Sequence, residues 1–372
     1  MRTRSLGLAL FAGLALMITA CGPGASTAPA GLKIGLVTDV GSLDDKSFNQ
    51  FSWEGAQDGA AKVGGTAKSA TSAVSADIAK NIQSFVDQKY DIIVTVGFAA
   101  GSDTTKAAKA NPKIKFIGVD QSFICITETG DPDTAAKPAC KGDPAKLLPN
   151  YQGLGWKEQQ PGYLAGIVAA SLSKSGTIAA VGGTASVPAV PNYIAGYVNG
   201  AKSFNPNIKT VVQYVSAAPD KAAFADAAGG KAFAQQMLSA NKSIDVFFQV
   251  AGLTGNGVLQ AACEANIVGI GVDVDQFLSA PETAKCTAVS AEKKLKKNVS
   301  DAIVRVKEGK DKGGGIKLDI TTDDVGLSPF HDFESKITAD TKSKIEKAIA
   351  DMKAGTLQAC PADNFGNCPV PK

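Results

Sequence analysis

The most constraining feature of this sequence is an alternation of short apolar strand patterns with helical patterns, which begins at Lys33 and starts again near residue 157. The strand patterns are rich in β-branched residues and lack a polar face, which is typical of parallel sheets covered by helices on both sides. Each run is about 120 residues long, so the sequence predicts an α/β protein with two doubly wound, parallel-sheet lobes. We expect strands at 33–38, 91–96, 115–119, 177–181, 210–215, 245–250, 268–272 and 287–291.

Helical patterns separate these strands, and one stretch of the chain has no pattern at all. The segment after residue 273 is too short for a domain of its own, so it should complete the two lobes, with the chain passing between them more than once. Residues 122–149 lack periodicity and are predicted to form a surface loop, and a Gly-rich linker is predicted at 313–315. The predicted helices are 45–63, 75–88, 102–110, 157–172, 190–204, 221–240, 255–265, 293–308 and 339–354.

The first thirty residues have the organisation of an export signal. Two arginines precede a thirteen-residue apolar run, which is shorter than the ~20 residues that cross a bilayer. The sequence Ile-Thr-Ala-Cys that ends at Cys21 resembles a bacterial lipobox, in which the cysteine is acylated; a plain secretory signal is the alternative. We therefore predict a signal peptide over 1–20, a flexible tether over 21–31 and a lipid-anchored protein on the extracytoplasmic side of the cell membrane.

The seven cysteines divide into one lipidation site and six others. An even number in an oxidising compartment indicates disulfides, although six cysteines allow 15 pairings and the sequence does not choose among them. No CxxC motif occurs, so a zinc or thioredoxin-like site is not expected. Our working hypothesis pairs neighbours along the chain: Cys125 with Cys140, Cys263 with Cys286, and Cys360 with Cys368.

The charged residues give little support to nucleic-acid binding or to catalysis. Lysine and arginine total 38 against 35 acidic residues, so there is no basic excess to attract nucleic acid. His331 is the single histidine, which excludes a multi-His metal site, and neither a GxSxG elbow nor a P-loop occurs. We expect no metal, no cofactor and no enzymatic activity, with a surface nucleosidase as the alternative.

Residues that follow the predicted strands are candidates for ligand binding, because ligands bind beyond the carboxyl ends of parallel strands. Asp39 follows the first strand, and Phe48 and Asn49 lie on the first turn of the next helix. An aromatic face beside an amide and a carboxylate suits a flat ligand that forms hydrogen bonds. Helix capping explains one or two of the acids in this turn, and simple packing is the alternative for Phe48 and Asn49.

Two further strand ends carry acids, and a strand of the second half carries adjacent phenylalanines. Asp120 and Asp273 can each accept two hydroxyl donors, as a vicinal diol such as ribose requires; helix capping, a cation or acid–base chemistry are the alternatives. A phenylalanine from each lobe can sandwich one aromatic ring, and stacking of a base on such a side chain contributes roughly 1–3 kcal/mol.

Three segments resemble a known family. DDKSFN in the first half, and QVAGLTGNG and GIGVDVDQF in the second, are similar to signatures of the basic membrane protein family, bacterial lipoproteins that bind purine nucleosides for ABC importers. The resemblance covers residues 33 to about 353 and implies a type I periplasmic-binding-protein fold, with two lobes joined by three crossovers. We expect an N-terminal lobe of 32–153 plus 286–312, a C-terminal lobe of 154–276 plus 313–372, and hinges near 153, 277–285 and 313.

The resemblance also implies roles for individual residues. Two phenylalanines would sandwich the purine, polar side chains would contact the base edge, and charged side chains would lie near the ribose. Phe247 should point away from the ligand because side chains alternate along a strand. The expected ligand-binding residues are Phe48 and Phe248 for the sandwich, Asp39 and Asn49 for the base, and Asp120, Asp273 and Lys293 for the ribose.

The function implied is that of a monomeric receptor that passes a nucleoside to an ABC permease and catalyses nothing. A sugar receptor of the same fold is the main alternative, since sugar sites also use aromatic and acidic residues. The Cys-bearing loop over 122–149 departs from the family pattern and leaves the strand that ends before Asp120. We therefore expect this loop to reshape the rim of the cleft.

Overall fold

The structure, a computed structural model, describes residues 31–135, 137–360 and 368–371. The predicted signal peptide, most of the tether and Cys21 lie outside the described residues. Two six-stranded sheets form the framework, and helices cover them. None of the described helices is both long and apolar enough to cross a membrane.

The strands and helices follow one another largely in alternation. The strands are β1 (Lys33–Val40), β2 (Thr66–Ser72), β3 (Ile92–Val96), β4 (Lys115–Val119), β5 (Tyr151–Trp156), β6 (Thr177–Gly182), β7 (Lys209–Tyr214), β8 (Val246–Val250), β9 (Val268–Asp273), β10 (Thr287–Lys293), β11 (Gly314–Leu318) and β12 (Val325–Leu327). The α-helices are α1 (Phe48–Lys62), α2 (Ala76–Asp87), α3 (Gly101–Ala110), α4 (Pro144–Leu147), α5 (Gln159–Leu172), α6 (Ala189–Phe204), α7 (Lys221–Phe224), α8 (Ala227–Ala240), α9 (Gly252–Glu264), α10 (Gln276–Ser279), α11 (Leu295–Lys307) and α12 (Ala339–Lys353).

The first sheet has the strand order β11-β5-β4-β3-β1-β2, and its strands are parallel. Alternate residues of its central strands enter different cores: Leu36 packs with the cluster that contains α1 and α11, whereas Val37 packs with the cluster of α2 and α3. Both faces are therefore buried, which explains why these strands are apolar throughout.

The second sheet has the strand order β12-β10-β9-β8-β6-β7 and is parallel except for β12, which runs antiparallel to β10. Phe247 and Phe248 of β8 enter different cores, as strand alternation requires. Two α/β lobes that face each other confirm the predicted fold class.

The lobe boundaries differ from those expected. β5 continues to Trp156 in the first sheet, so the chain leaves this lobe later than residue 153. β10 belongs to the second sheet although we assigned 286–312 to the N-terminal lobe, and β11 belongs to the first sheet although 313–315 was predicted as a linker. The helix of the 286–312 segment does pack on the first lobe, against α1.

The three crossovers lie side by side and are hydrogen-bonded to one another. The backbone N–H of Lys157 donates to the carbonyl of Leu318 at 3.0 Å, and that of Lys294 donates to the carbonyl of Asp324 at 2.9 Å. The crossovers are thus found at about 157, 294 and 319–324 rather than near 153, 277–285 and 313. These hydrogen bonds hold the first and the second crossover against the third.

The loop over 122–149 covers a face of the first sheet. Its Ile124, Ile126 and Leu148 are buried in the same core as α2 and α3, and a disulfide joins Cys125 to Cys140. The loop therefore takes the place of a helix over β5 and β11. None of its described residues lines the cleft, so the expectation that it reshapes the cleft rim was wrong.

The other two disulfides lie in the second lobe, and all three follow the neighbour pairing expected. Cys263 at the end of α9 is joined to Cys286, and Cys360 is joined to Cys368. The C-terminal segment packs on α6, where Asn199 Nδ2 donates to the carbonyl of Ala359 at 2.9 Å.

Candidate functional site

The carboxyl ends of both sheets open onto one cavity between the lobes. The space between its walls is about 610 Å³ when the part open to solvent is included. The polar and aromatic side chains on its walls are Asp39, Asp45, Phe48, Asn49, Phe98 and Asp120 from the first lobe, and Tyr193, Phe224, Asp273 and Lys293 from the second. Six of the seven predicted ligand-binding residues are therefore brought together, and Phe248 is not among them.

Asp39 projects from the end of β1 against the backbone of Gly97. This glycine has φ of +99°, and a Cβ built on it would lie 1.7 Å from Asp39 Oδ2. Only glycine tolerates both the backbone conformation and this close approach. Gly97 thus fixes where the Asp39 carboxylate lies.

The start of α1 is organised by Asp45. Its carboxylate accepts hydrogen bonds from the backbone N–H groups of Ser47, Asn49 and Gln50, at 2.9, 2.8 and 3.1 Å. Asn49 Nδ2 also donates to Asp45 Oδ2, at 3.1 Å. Asn49 Oδ1 is buried and has no hydrogen-bond partner among the described residues, so it is available to a ligand donor.

Asp120 and Asp273 occupy matching places in the two lobes. Each follows the sequence Ile-Gly-Val at the end of a central strand, and each has a left-handed backbone, with φ of 58° and 68°. Aspartate tolerates this conformation better than most residues. The two carboxylates reach the cavity from opposite sides.

Lys293 lies at the end of β10, between the lobes, and is only 3% exposed. Its Nζ donates to both carboxylate oxygens of Asp120, at 3.0 and 2.8 Å, and lies 3.5 Å from Asp273 Oδ1. It also lies 4.9 Å from the centre of the Phe48 ring. The ammonium thus joins acids of both lobes and touches the aromatic wall.

Burial and neighbouring charges shift the pKa values of the ionisable groups in the cavity. Burial, with added repulsion from Asp120 and Asp45, raises the pKa of Asp39 to about 8. Burial alone would lower the pKa of Lys293, but the carboxylates of Asp120 and Asp273 outweigh it and raise that pKa. At neutral pH Asp39 is therefore mostly protonated and able to donate a hydrogen bond, while Lys293 stays charged.

Phe248 lies beneath the cavity rather than in it. It is fully buried and stacks on Tyr197 with ring centres 4.9 Å apart, and it meets the edge of Tyr193 at 6.1 Å. The expectation that Phe248 contacts the ligand therefore needs correction, because Tyr193 covers this part of the wall.

Phe224 is the second-lobe phenylalanine that does line the cavity, and sequence reasoning missed it. We predicted one helix over 221–240, whereas α7 ends at Phe224 and α8 begins after Asp226, whose side chain caps it by accepting from the Gly229 N–H. The aspartate at the N-cap position is the sequence signal that marks this second helix start.

Direct hydrogen bonds join the lobes around the cavity. Asn256 Nδ2 donates to the carbonyl of Asp45 at 2.9 Å, and Ser279 Oγ donates to the carbonyl of Lys46 at 2.7 Å. Ser47 Oγ donates to Asp273 Oδ2 at 3.3 Å. The lobes are thus in a closed arrangement.

Two α/β lobes, three crossovers and a closed interlobe cavity are the architecture of periplasmic solute-binding proteins. A solved structure of an ABC transporter system solute-binding protein from Aeropyrum pernix has this fold, with a TM-score of 0.72, 23% identity, and coverage of 88% of this chain and 92% of that one. The chain belongs to the Bmp family of PnrA-like ABC transporter substrate-binding proteins, whose family model matches residues 33–354.

Two relatives agree with this assignment. The CD4+ T-cell-stimulating antigen of Listeria innocua is 30% identical over 96% of this chain and 98% of its own length. The ABC transporter nucleoside-binding protein BmpA of Lactococcus lactis is 30% identical over 88% of each chain. The family resemblance inferred from the sequence is therefore confirmed.

Proposed function

We propose that this substrate-binding protein is anchored by lipid on Cys21, captures a nucleoside, with purine nucleosides preferred, and delivers it to an ABC permease. The observation that carries the proposal is the start of α1, where Phe48 and Asn49 line the same cavity and the buried Asn49 Oδ1 has no hydrogen-bond partner among the described residues. An apolar face beside an unused acceptor suits a heterocyclic base, which offers a flat ring and N–H donors at its edge.

Asp39 and Asn49 together would contact the base edge. Protonated Asp39 donates a hydrogen bond, and Asn49 Oδ1 accepts one, because its Nδ2 is already used by Asp45. A purine such as hypoxanthine presents an N–H beside an acceptor and complements this pair. Sugar hydroxyls also donate and accept hydrogen bonds, so the preference for a base rests on the flat face of the Phe48 ring rather than on this pair.

Asp120, Asp273 and Lys293 would hold the ribose. Carboxylates accept from vicinal hydroxyls, and the Lys293 ammonium can donate to a ring or hydroxyl oxygen. Their position across the lobes means that a ribose between them joins both halves of the cleft. Closure then excludes water from these hydrogen bonds, which strengthens them.

Phe48 from the first lobe and Phe224 from the second are the proposed aromatic pair, with Phe224 replacing the earlier candidate Phe248. Both line the cavity, and they belong to different lobes. A base between them would be released when the lobes part. The relative from Lactococcus lactis is an ABC transporter nucleoside-binding protein, which supports this choice of ligand.

Isothermal titration calorimetry of the mature chain carrying Cys21→Ser tests the proposal. We expect inosine, guanosine or adenosine to bind with micromolar or tighter Kd, and ribose or galactose to bind at least 100-fold more weakly. Phe48→Ala should reduce affinity about tenfold or more, as loss of base stacking predicts. Phe123→Ala is the control, because Phe123 is 61% exposed and does not line the cavity.

Three results would count against the proposal. Tight binding of a free sugar would favour the sugar receptor, and release of free base from inosine, followed by chromatography, would favour a nucleosidase. Equal affinities of Phe48→Ala and Phe123→Ala would show that the Phe48 ring does not contact the ligand. Metabolic labelling with palmitate, lost in Cys21→Ser, tests the anchor.

A further inference from the structure

Lys293 contacts three carboxylates, and the third of these is Glu158. Lys293 Nζ lies 2.8 Å from Asp120 Oδ2, 3.5 Å from Asp273 Oδ1 and 3.8 Å from Glu158 Oε1. Asp120 and Asp273 line the cavity, whereas Glu158 does not. Glu158 therefore acts on the site through Lys293 and not by touching a ligand.

The Glu158 carboxylate is held in place by a hydrogen bond on the side away from Lys293. It is 5% exposed and precedes α5 on the first crossover, and its Oε2 accepts a hydrogen bond from Asn192 Nδ2 at 3.4 Å. Asn192 Oδ1 accepts from the backbone N–H of Cys368 at 3.0 Å. Because the oxygen of this amide is already used, its nitrogen must face Glu158.

The closed space holds more acidic groups than Lys293 can neutralise. In a medium of low dielectric, an uncompensated buried carboxylate is costly, and the cost falls when the group takes up a proton. Burial, with repulsion from Asp120 and opposed by Lys293, raises the pKa of Glu158 to about 8. The acids that surround Lys293 or lie nearby are Asp39, Asp45, Asp120, Glu158 and Asp273.

We propose that Glu158 is a positioning residue, which holds the Lys293 ammonium between the lobes and takes up one proton from solvent when the lobes close on the ligand. The ionisable groups that face it are Lys293 from β10, Asp120 from the end of β4 and Tyr193 from α6. The proton returns to solvent when the lobes open and water reaches the carboxylate. The inference rests on the proposed function for the nature of the ligand.

The sign of the effect follows from the two states of Glu158. The ordinary pKa of a glutamate side chain is 4.5, and burial raises the pKa of Glu158 to about 8 in the closed protein. Between these values the closed form binds a proton that the open form lacks. Ligand affinity should therefore increase as the pH falls from about 8 towards 4.5.

Calorimetry of inosine binding at pH 7, in buffers of different ionisation enthalpy, measures this proton directly. Glu158→Gln, which keeps the shape and is always neutral, should take up about one proton fewer than the unmodified protein and bind within threefold of it at pH 6. Glu158→Ala should bind at least tenfold more weakly, because Lys293 loses a neighbour that fixes it. Burial also raises the pKa of Asp39, Asp45 and Asp273, and these three acids are present in all the variants compared.

Glu292→Gln is the matched control. Glu292 lies beside Lys293 on β10, but its carboxylate pairs with Lys294. The control should keep the proton uptake and the affinity of the unmodified protein. Equal proton uptake in Glu158→Gln and the unmodified protein, or unchanged affinity of Glu158→Ala, would overturn the inference.

A measurement without ligand separates this inference from the proposed function. If no nucleoside binds the unmodified protein, the proposed function fails, and the link between protonation and closure is judged by unfolding of the ligand-free protein between pH 5 and 8. In the open form Glu158 keeps its ordinary pKa, so the unmodified protein and Glu158→Gln should change in stability with pH at the same rate. A steeper loss of stability with rising pH in the unmodified protein would show that Glu158 is protonated without closure and would overturn the inference.

Discussion

At the scale of single residues, the site depends on glycines that let acids reach the cavity. Asp120 and Asp273 follow two copies of the sequence Ile-Gly-Val-Asp. In the first copy, a Cβ on Gly118 would lie 2.2 Å from Gln121 Oε1, and in the second, a Cβ on Gly271 would lie 2.7 Å from Gln276 Oε1. A buried glutamine thus packs under each strand end, and the same local geometry presents one acid from each lobe.

Gly97→Ala should lower nucleoside affinity about tenfold or more, because the new methyl group would displace the Asp39 carboxylate. Gly176→Ala is the matched control, since Gly176 also has positive φ, at +72°, but a Cβ there meets nothing within 4 Å. Both variants lose roughly 1 kcal/mol or more of stability through backbone strain. If calorimetry shows the same affinity for the two variants, Asp39 does not contact the ligand.

Substitutions at Phe224 and Phe248 should have opposite effects: one should lower nucleoside affinity and the other should lower stability. Phe224→Leu removes a wall of the cavity, so affinity should fall about tenfold while the unfolding midpoint changes little. Phe248→Leu disturbs the stack on Tyr197 and should destabilise the protein by about 1–3 kcal/mol with nucleoside affinity kept within about twofold. If calorimetry and denaturant unfolding instead show that Phe248→Leu loses affinity and Phe224→Leu loses stability, then Phe248 rather than Phe224 contacts the ligand.

At the scale of elements, strands that are apolar on both faces could be predicted from sequence and strands shaped by their neighbours could not. The apolar composition of the central strands predicts them directly, as in β1, β3, β4, β8 and β9. In contrast, β2 is an edge strand of small and polar residues, and its composition does not predict a strand. β5 and β11 are rich in glycine because the loop after Asp120 crosses them closely. A Cβ on Gly153 would lie 2.0 Å from the Gln121 carbonyl, and one on Gly315 would lie 2.1 Å from the Ser122 carbonyl.

Dependence on neighbouring elements also explains why Phe224 was not predicted at the site and why Phe248 was predicted there wrongly. Phe48 and Asn49 directly follow a recognisable strand and turn, so their place at the cavity could be foreseen. Phe224 reaches the cavity because α7 is a separate turn, and Phe248 leaves it because Tyr193 of α6 covers β8. Both outcomes depend on packing between elements far apart in the sequence.

Replacing both cysteines of the covering loop, in Cys125→Ser/Cys140→Ser, should leave nucleoside affinity unchanged. The disulfide closes a short loop over the first sheet, so its loss should lower the free energy of unfolding by about 2–4 kcal/mol. Denaturant unfolding and calorimetry on the same sample measure the two effects. A tenfold loss of affinity in a folded sample would place this loop at the cleft after all.

At the scale of the whole molecule, the proposed function makes ligand binding and lobe closure one event. The acids of the first lobe and the ammonium of Lys293 lie on opposite sides of the hinge, and three side-chain hydrogen bonds join the lobes near Asp45. A ligand that contacts both walls stabilises the closed form relative to the open one. Under the proposed function, the closed form is the state that the permease would recognise.

Ser279→Ala should weaken nucleoside binding about fivefold, because the closed form loses the hydrogen bond to the Lys46 carbonyl, worth about 1 kcal/mol. Small-angle scattering should show a larger radius of gyration for this variant at sub-saturating ligand. Ser239→Ala, which removes a hydrogen bond within α8, is the control. An affinity equal to that of the control would mean that this contact does not stabilise closure.

The most direct test of the central claim is a crystal structure of the mature chain with inosine. The account predicts the purine between the Phe48 and Phe224 rings, its edge on Asp39 and Asn49, and the ribose hydroxyls within hydrogen-bond distance of Asp120, Asp273 or Lys293. A nucleoside bound outside this cavity, or an empty cavity at saturating inosine, would contradict it.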